Sequence, residues 1–425
     1  MCTTGVLRAR IEGGGFDSTF AVLYPTSPVT AARERWAGAI LEFERIYGAG
    51  REAVLVSAPG RTEIGGNHTD HQHGRVLAAS VNLDVICVAS KNDDSIIREK
   101  SYRHNEIAVK LDELSPKPEE KNSGKSLIRG VAAWFSQNGL HTGGFDAYST
   151  SDVLSGSGLS SSAAFEVMVG GVLSHLYNGG NATPQQIAAA GKFAENHYFG
   201  KPSGIMDQMA SSVGSLVEMD FADPQKPEIN PIAFDIAGAG FKLCIADTKG
   251  SHADLTHEYA AIPHEMASVA GFFGKRYLRE VEPEDFYGRI AAVRGAAGDR
   301  AVLRAMHYFG DDARVPKQAQ ALRRGNFAEF LRLVNESGNS SMMLLQNIFA
   351  CSAPQQQAVS IGLAISRGVL EGRGAWRVHG GGFAGTIQAF VPDDLLGEYR
   401  GAMEAVFGQG SCYILTIRPV GGVRL

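Results

Sequence analysis

The chain has 425 residues, of which 44% are hydrophobic and 20% are charged, a composition that fits two or three globular domains and excludes an intrinsically disordered chain. The formal net charge of −5 and the lack of a long uninterrupted apolar run favour neither a nucleic-acid partner nor a membrane. Five cysteines without paired spacing argue against a disulfide framework or a zinc site, and so predict a protein of the reducing cytoplasm.

Apolar periodicity predicts alternating helices and strands in the first half of the chain. Helical spacing extends over residues 30–48, and a short strand over 53–57 is predicted to break at Pro59. A mostly apolar, β-branched stretch over 76–90 is typical of a buried strand or two. After a charged loop over 112–125, the remaining predicted elements of this half are a helix over 126–137, a strand over 145–149 and helices over 160–177 and 184–197.

Segment 221–231 combines prolines with charged residues, which makes it the best candidate for a domain boundary. The predicted elements beyond it are a strand over 241–247, a long helical region over 252–275, further helices to residue 335 and a strand pair over 386–391 and 413–418. Because helices and strands are mixed on both sides of the boundary, we predict two α+β lobes, comprising residues 1–225 and 226–425.

Glycines and serines crowd a turn over residues 155–162, directly ahead of an apolar helix. Such a turn aims backbone N–H groups and the positive end of the helix dipole at one point, where an anion can bind. A serine N-cap alone would require neither Gly156 nor Gly158, so phosphate binding is the favoured interpretation. The lysine of a P-loop and the glycine spacing of a dinucleotide fingerprint are both absent, which excludes two familiar forms of such a site.

A polar cluster follows the first predicted strand, over residues 58–74. Arg61 supplies a cation capable of bidentate contacts, and Asn67, His68 and Asp70 supply hydrogen-bond donors and acceptors that suit hydroxyl groups. An ordinary polar surface turn would have much the same composition. A metal site is a further alternative, with four candidate ligands, His68, Asp70, His71 and His73.

Asp207 stands at the start of an apolar helix, after a turn over residues 200–204 that contains glycine and proline. A carboxylate near a helix N-terminus is usually a cap. Among apolar neighbours it could instead be a base whose pKa is set by a nearby arginine, and the sequence leaves both interpretations open. A second glycine turn, over residues 378–386, fits a tight hairpin as well as it fits a ligand contact.

Taken in chain order, these four segments resemble the GHMP family of small-molecule kinases, most closely its galactokinases. The likeness rests on Pro59-Gly60-Arg61 and the polar run after it, on Gly-Leu-Ser-Ser-Ser-Ala over 158–163, on Gly-Ile-Met-Asp-Gln over 204–208 and on the glycines over 380–385. The resemblance implies an N-terminal α/β lobe and a C-terminal ferredoxin-like lobe with the active site between them. It also implies a small-molecule sugar substrate, ATP, Mg²⁺, and a monomer or weak dimer.

Carried over to this chain, the resemblance implies ATP-dependent phosphorylation of the C1 hydroxyl of galactose. Asp207 would be the base or the electrostatic partner of that hydroxyl, with Arg61 beside it. Magnesium would be bound by Ser161 or Ser162 together with Glu195. The implied sugar ligands are Asn67, His68, Asp70 and Tyr259. The implied ATP-binding residues are Gly156, Ser157, Gly158, Leu159, Ser160, Ser161 and Ser162.

Three positions depart from the galactokinase pattern, since Glu63 replaces an asparagine, Asn67 a glutamate and His71 a tyrosine. In galactokinases that glutamate touches the C6 hydroxyl of the sugar, so the amide of Asn67 would remove a negative charge from the C6 pocket. A 6-carboxylate would then be repelled less, which makes galacturonic acid the first alternative acceptor and N-acetylgalactosamine the second. A non-catalytic sugar sensor and a mevalonate-type kinase are disfavoured, because the serine loop and the segment around Asp207 are intact.

Overall fold

The computed structural model of the chain describes residues 1–153, 158–201, 203–250 and 255–425. Within these residues, helices surround two β-sheets. The helices are α1 (Thr4–Glu12), α2 (Asp17–Leu23), α3 (Val29–Tyr47), α4 (Gly124–Gln137), α5 (Ser161–Tyr177), α6 (Pro184–Ala194), α7 (Met206–Val213), α8 (Thr256–Phe272), α9 (Pro283–Gly288), α10 (Ile290–Ala297), α11 (Asp299–Arg323), α12 (Phe327–Ser340), α13 (Ala358–Leu370) and α14 (Leu396–Phe407).

The strands are β1 (Cys2–Thr3), β2 (Glu52–Gly65), β3 (Arg75–Lys91), β4 (Ile96–Ser101), β5 (Ile107–Lys110), β6 (Phe145–Ser151), β7 (Leu216–Asp220), β8 (Glu228–Ile232), β9 (Phe241–Asp247), β10 (Ala375–Val378), β11 (Thr386–Pro392), β12 (Cys412–Leu415) and β13 (Val423–Arg424). The larger sheet has the order β1-β2-β3-β6-β4-β5. It is extended by β13, which pairs with β2, and by β7 and β8, which continue from β3.

Two long strands, β2 and β3, form the centre of the larger sheet, and nearly all of their residues are buried. Instead of breaking at Pro59, β2 continues to Gly65, with register shifts between Pro59 and Arg61 and between Glu63 and Gly65. Irregularities of this kind accommodate a proline and a glycine while bending the strand. The prediction of a short strand is therefore wrong, and the extension carries Arg61 into the interior.

Helix α5 lies against the larger sheet and contacts α4, α6 and α7 on its other sides. Its sequence is apolar all round, which is typical of a helix without a solvent face. Most of its residues are buried, among them Val167, Val172 and Leu173. This packing fixes the position of the serines at its start.

The smaller sheet has the order β10-β11-β9-β12, with antiparallel pairing throughout. Helices α13 and α14 pack on it and share a core that includes Val359, Ile387 and Met403. The turn between β10 and β11 carries the last glycine motif to the edge that meets the larger sheet. The described part of the chain contains no helix long and apolar enough to cross a membrane.

Most predicted elements are present, with ends that differ by a few residues. The elements additional to the prediction are α1, α2, α13, α14, β1, β4, β5, β7, β8, β10 and β13. Residues 252–254 of the predicted helical region lie outside the described residues. The larger sheet includes β8 and β13, both beyond residue 225. The division into residues 1–225 and 226–425 thus stays a prediction. Two strands from the second segment pair with strands from the first.

Candidate active site

Arg61 and Asp207 form the central pair of the site. Nε and Nη2 of Arg61 donate to Oδ1 and Oδ2 of Asp207, each at 2.7 Å. Nη1 donates to the carbonyl oxygen of Gly158, and the hydroxyl of Ser160 donates to Oδ2 of Asp207. Ile205 is the N-cap residue of α7, with Asp207 in its first turn, so the carboxylate is not that cap. A bidentate guanidinium–carboxylate pair is strong and directional, and it fixes both side chains.

The charge state of Asp207 is decided by two opposing effects. Burial raises the pKa of a carboxyl group, because the ionised form loses its hydration. The positive charge and the hydrogen bonds of Arg61 outweigh burial here and lower the pKa of Asp207 to about 2. Asp207 is therefore a carboxylate at any pH near neutrality.

Replacing Arg61 by methionine should raise the pKa of Asp207 by about 1 to 3 pH units, because burial remains while the opposing charge is lost. Asp207, the predicted base, would be active when ionised, so the acid limb of kcat should move to higher pH in the variant. The measurement is kcat between about pH 4 and pH 9. Outside this range a protein of this kind loses the ion pairs that stabilise its fold. Arg45→Met, which removes an exposed ion pair with Glu42, is the control. Superimposable profiles for wild type and Arg61→Met would contradict this assignment.

The glycine turn before β11 packs against the residues that lead into α5. Gly158 has a φ of +73°, and a Cβ there would lie 2.8 Å from Nδ1 of His379 and from Oγ1 of Thr386. The other ring nitrogen of His379 lies 3.0 Å from Oγ1 of Thr62. Glycine at position 158 therefore allows the serine loop to contact both the last glycine motif and β2.

The described part of the serine loop lies at the N-terminus of α5. The carbonyl oxygen of Leu159 accepts the backbone N–H of Arg61 at 3.1 Å. Ser160 precedes the helix in a left-handed conformation, and Ser161 and Ser162 begin its first turn, where backbone N–H groups can bind an anion. Two further predicted ATP-binding residues lie outside the described residues, Gly156 and Ser157.

Glu195 is a buried carboxylate that contacts this helix start. It begins a π-helical turn over Glu195–Phe199. Its Oε1 accepts hydrogen bonds from Oγ of Ser162 at 3.2 Å and from Nζ of Lys201 at 2.9 Å. Its Oε2 accepts from Oγ of Ser203 at 2.5 Å and from Nε2 of Gln208 at 3.0 Å.

The pairing of Ser162 with Glu195 fits a magnesium ion. Both supply oxygen, the donor that Mg²⁺ prefers, and kinase sites hold this ion through one or two protein ligands together with substrate phosphates. The ammonium group of Lys201 contacts Oε1 of the same carboxylate at 2.9 Å, so a bound Mg²⁺ would share that oxygen with it or displace it. Ser161 is adjacent in the same helical turn.

His68 and Asp70 lie in the loop between β2 and β3, residues 66–74, which we call the His-Asp loop. Nε2 of His68 lies 3.0 Å from the carbonyl oxygen of Gly381, so this nitrogen carries the proton. Burial lowers the pKa of His68 to about 3, which leaves a neutral ring with an acceptor at Nδ1. A Cβ at Gly204 would lie 2.0 Å from Oδ2 of Asp70, so only glycine lets the loop approach the turn before α7.

Tyr259, in α8, lies on the other side of the last glycine motif. Its hydroxyl donates to the carbonyl oxygen of Gly382 at 2.8 Å, and its ring packs edge-on against Phe383. Burial raises the pKa of Tyr259 to about 12, so the phenol stays protonated. Tyr259 and His68 thus contact neighbouring carbonyl groups of one turn.

Asn67 differs from the other predicted sugar ligands because it is fully buried. Its Nδ2 donates to Oε1 of Glu63 and to the carbonyl oxygen of Gly380, both at 2.8 Å. Its Oδ1 accepts from Ser341 at 3.2 Å and from Asn347 at 2.8 Å. Since these bonds use the donors and acceptor of the amide within the protein, the geometry does not support the prediction that Asn67 contacts the sugar.

Glu63 supplies the carboxylate that Asn67 lacks. Its Oε1 lies 2.8 Å from Nη2 of Arg377, and both side chains are buried. Burial raises the pKa of Glu63 to about 7, although Arg377 and Arg61 oppose that shift. A carboxyl group therefore remains in contact with position 67, so the region has kept an acidic side chain, while the effect of Asn67 on the charge of the C6 pocket stays a prediction.

The alternative of a metal bound by histidines of the His-Asp loop has no geometric support. Among the residues that the structure describes, no group of three or more His, Cys, Asp or Glu side chains is placed to hold a metal ion. The ring of His73 instead stacks on that of Tyr277 at 3.6 Å, and His68 stacks on His71 at 5.6 Å.

Comparison with known proteins agrees with this arrangement of motifs. Residues 41–91 match the galactokinase galactose-binding signature, and residues 126–215 match the GHMP kinase N-terminal domain. A galactokinase of Glaesserella parasuis serovar 5 (strain SH0165) is 30% identical over 356 residues, 83% of this chain and 88% of that protein. One from Actinobacillus pleuropneumoniae serotype 5b (strain L20) is 31% identical over the same shares of the two chains. The chain belongs to the galactokinase family.

A solved structure of the galactokinase family has the same fold. The crystal structure of Lactococcus lactis galactokinase complexed with galactose matches with a TM-score of 0.78 and 24% identity. The match covers 92% of this chain and all of that one. The predicted family and the predicted two-lobe α+β architecture are thereby confirmed.

Several residues of the site in this galactokinase-family chain were not predicted from its sequence. Lys201 and Gln208 contact Glu195, and Glu63 and Arg377 pair beneath Asn67. Lys201 and Gln208 lie in the same sequence segment as Asp207, so their closeness to it in sequence could have predicted that they belong to the site. Nothing in the local sequence around Arg377 indicated a partner more than 300 positions away.

Proposed function

We propose that this protein transfers the γ-phosphoryl group of ATP to the C1 hydroxyl of galactose. The observation that carries the proposal is the ionised Asp207, held by Arg61 at the meeting point of two helix starts. Phosphoryl transfer needs little covalent help from a protein, so positioning and stabilisation of charge supply most of the rate. Membership of the galactokinase family supports galactose as the acceptor.

In this proposal, Asp207 accepts a hydrogen bond from the C1 hydroxyl. A carboxylate with a pKa of about 2 is a weak base, so it would take the proton only as the bond between the C1 oxygen and phosphorus forms. Arg61 keeps the carboxylate ionised and fixes its orientation through two hydrogen bonds. The backbone N–H groups at the start of α5 would stabilise charge on the transferred phosphate.

The proposed sugar contacts are His68, Asp70 and Tyr259. The neutral ring of His68 suits a hydroxyl donor at Nδ1, and Asp70 is an acceptor close to the turn that leads to Asp207. Galacturonic acid as acceptor is not favoured, because the relatives that this chain matches are galactokinases and the acidic side chain of Glu63 remains beside Asn67.

Ser162 and Glu195 are the proposed ligands of Mg²⁺, which when bound would neutralise charge on the phosphates of ATP. Replacing Glu195 by glutamine should raise the half-saturating Mg²⁺ concentration at least about tenfold, since a charged oxygen ligand is lost. Galactose binding without nucleotide, followed by calorimetry, should be unchanged. Equal Mg²⁺ requirements in variant and wild type would contradict this ligand set.

The acceptor is tested with galactose, galacturonate, N-acetylgalactosamine and glucose, compared by kcat/KM with ATP. We expect galactose to be the best substrate. A tenfold preference for galacturonate, or ~1.4 kcal/mol in transition-state binding, would overturn the proposal.

We further propose a monomer or weak dimer that works in the cytoplasm. The five free cysteines, unpaired in the structure, support a reducing environment. Light scattering coupled to size exclusion, over a range of concentrations, tests the oligomeric state.

A further inference from the structure

The His-Asp loop has a backbone that its own sequence does not readily stabilise. Three of its residues have positive φ, namely Gly66 at 80°, His68 at 60° and His73 at 59°. For a residue other than glycine this left-handed conformation carries a cost, and it persists where surrounding structure holds it. The loop also carries both proposed sugar contacts from this part of the chain, His68 and Asp70.

Helix α11 holds the beginning of the His-Asp loop. Oδ2 of Asp311 accepts two successive backbone N–H groups, from Gly66 at 3.1 Å and from Asn67 at 2.9 Å. One turn earlier on the same helix, Nε2 of His307 donates to the carbonyl oxygen of Asn67 at 2.9 Å. Its Nδ1 lies 2.8 Å from the hydroxyl of Ser340, which fixes the ring.

The end of the loop is held by the next residue of α11. Oδ1 of Asp312 accepts the backbone N–H of Arg75 at 2.6 Å, and Oδ2 pairs with Nη1 of Arg75 at 2.8 Å. Arg279 completes the network, contacting Asp312 at 3.3 Å and Asp220 at 2.8 Å. Two neighbouring carboxylates on one helix thus bind both ends of the loop.

The charge of Asp311 is compensated within the protein. Arg314, one turn further along α11, forms an ion pair with Oδ1, and Ser337 donates to Oδ2 at 3.2 Å. A buried carboxylate with such partners stays ionised, and charged acceptors form stronger hydrogen bonds to N–H groups than neutral ones. The arrangement therefore favours one loop conformation over others.

We propose that Asp311 and Asp312 are positioning residues for the acceptor sugar, acting through the backbone of the His-Asp loop to aim His68 and Asp70. The inference rests on the proposed function, since it concerns the same sugar site. In this proposal neither aspartate is a ligand of the sugar or of ATP, since their carboxylates bind backbone N–H groups and arginines. Their loss should therefore weaken sugar binding and leave the nucleotide site intact.

The test is Asp311→Asn, which retains the size of the side chain and one oxygen acceptor but removes the charge. We expect KM for galactose and the galactose Kd measured by calorimetry without ATP to rise at least about tenfold, while KM for ATP changes by less than about twofold. Asp312→Asn, which weakens the other end of the loop, should change the same two quantities in the same direction.

Val315→Ala is the matched control, because Val315 is a buried residue of the same helix in the main hydrophobic core. It should lower the melting temperature without changing galactose affinity. If the aspartate variants lower the melting temperature with wild-type galactose affinity, or raise KM for galactose and ATP equally, the inference is overturned. A wild-type protein that binds no galactose would overturn the proposed function as well.

Discussion

Replacing Asp207 by alanine should lower kcat by about a hundred- to ten-thousand-fold, the usual contribution of a positioned proton acceptor. The variant loses the carboxylate that would orient the C1 hydroxyl, and it leaves the guanidinium of Arg61 without its bidentate partner. The start of α5 contacts this carboxylate through the hydroxyl of Ser160, whereas its backbone N–H groups are held in place by the helix, so ATP affinity should stay within about threefold of wild type. Stopped-flow or coupled assays give kcat, and calorimetry with ATP gives the affinity.

Two companion variants make this result interpretable. Asp207→Asn retains the shape and can still bond Arg61, so it separates the loss of charge from the loss of packing. Asp223→Ala removes an exposed aspartate outside the site and should leave kcat unchanged. An Asp207→Ala enzyme with near-wild-type kcat would contradict the proposed role of Asp207.

Local pattern was sufficient to predict much of the fold. The apolar run of β3 and the buried helix α5 were predicted nearly to their ends, because continuous burial leaves a clear hydrophobic signal. Strand β2 was cut short at Pro59, since the register shifts that accommodate proline depend on the neighbouring strand. Short strands such as β10 depend on pairing with distant residues and carry little signal of their own.

In the site, too, residues in local sequence motifs could be predicted, whereas contacts between distant parts of the chain could not. Arg61 and Asp207 could be brought together from the sequence because each lies in a recognisable motif. The surroundings of Asn67 could not, since its partners at positions 63, 341, 347 and 380 come from three parts of the chain. The residue type at position 67 suggested a sugar ligand, whereas in the structure the amide of Asn67 forms hydrogen bonds within the protein.

Asn67→Glu should destabilise the protein by about 3–5 kcal/mol, the range for an uncompensated buried charge. The new carboxylate would lie against Glu63 and face the carbonyl oxygen of Gly380, and it could donate to neither. Glu63→Asn alone should cost a similar amount, because the buried guanidinium of Arg377 loses its carboxylate partner. Urea unfolding at pH 8, above the pKa of Glu63, measures both free energies. Asn181→Glu, at an exposed position, is the control.

The double variant Glu63→Asn with Asn67→Glu exchanges the two side chains and should recover at least about 2 kcal/mol relative to the sum of the single variants. One carboxylate and one amide would again share the space beside Arg377, so the hydrogen bond between positions 63 and 67 could re-form with its direction reversed. Positions 63 and 67 would then carry the asparagine and the glutamate of the galactokinase pattern. Such an exchange conserves both the charge and the hydrogen bond between the two positions. Additive effects of the two substitutions would show that the residues are not coupled, and the carboxylate of Glu63 would then not be a substitute for the one that Asn67 lacks.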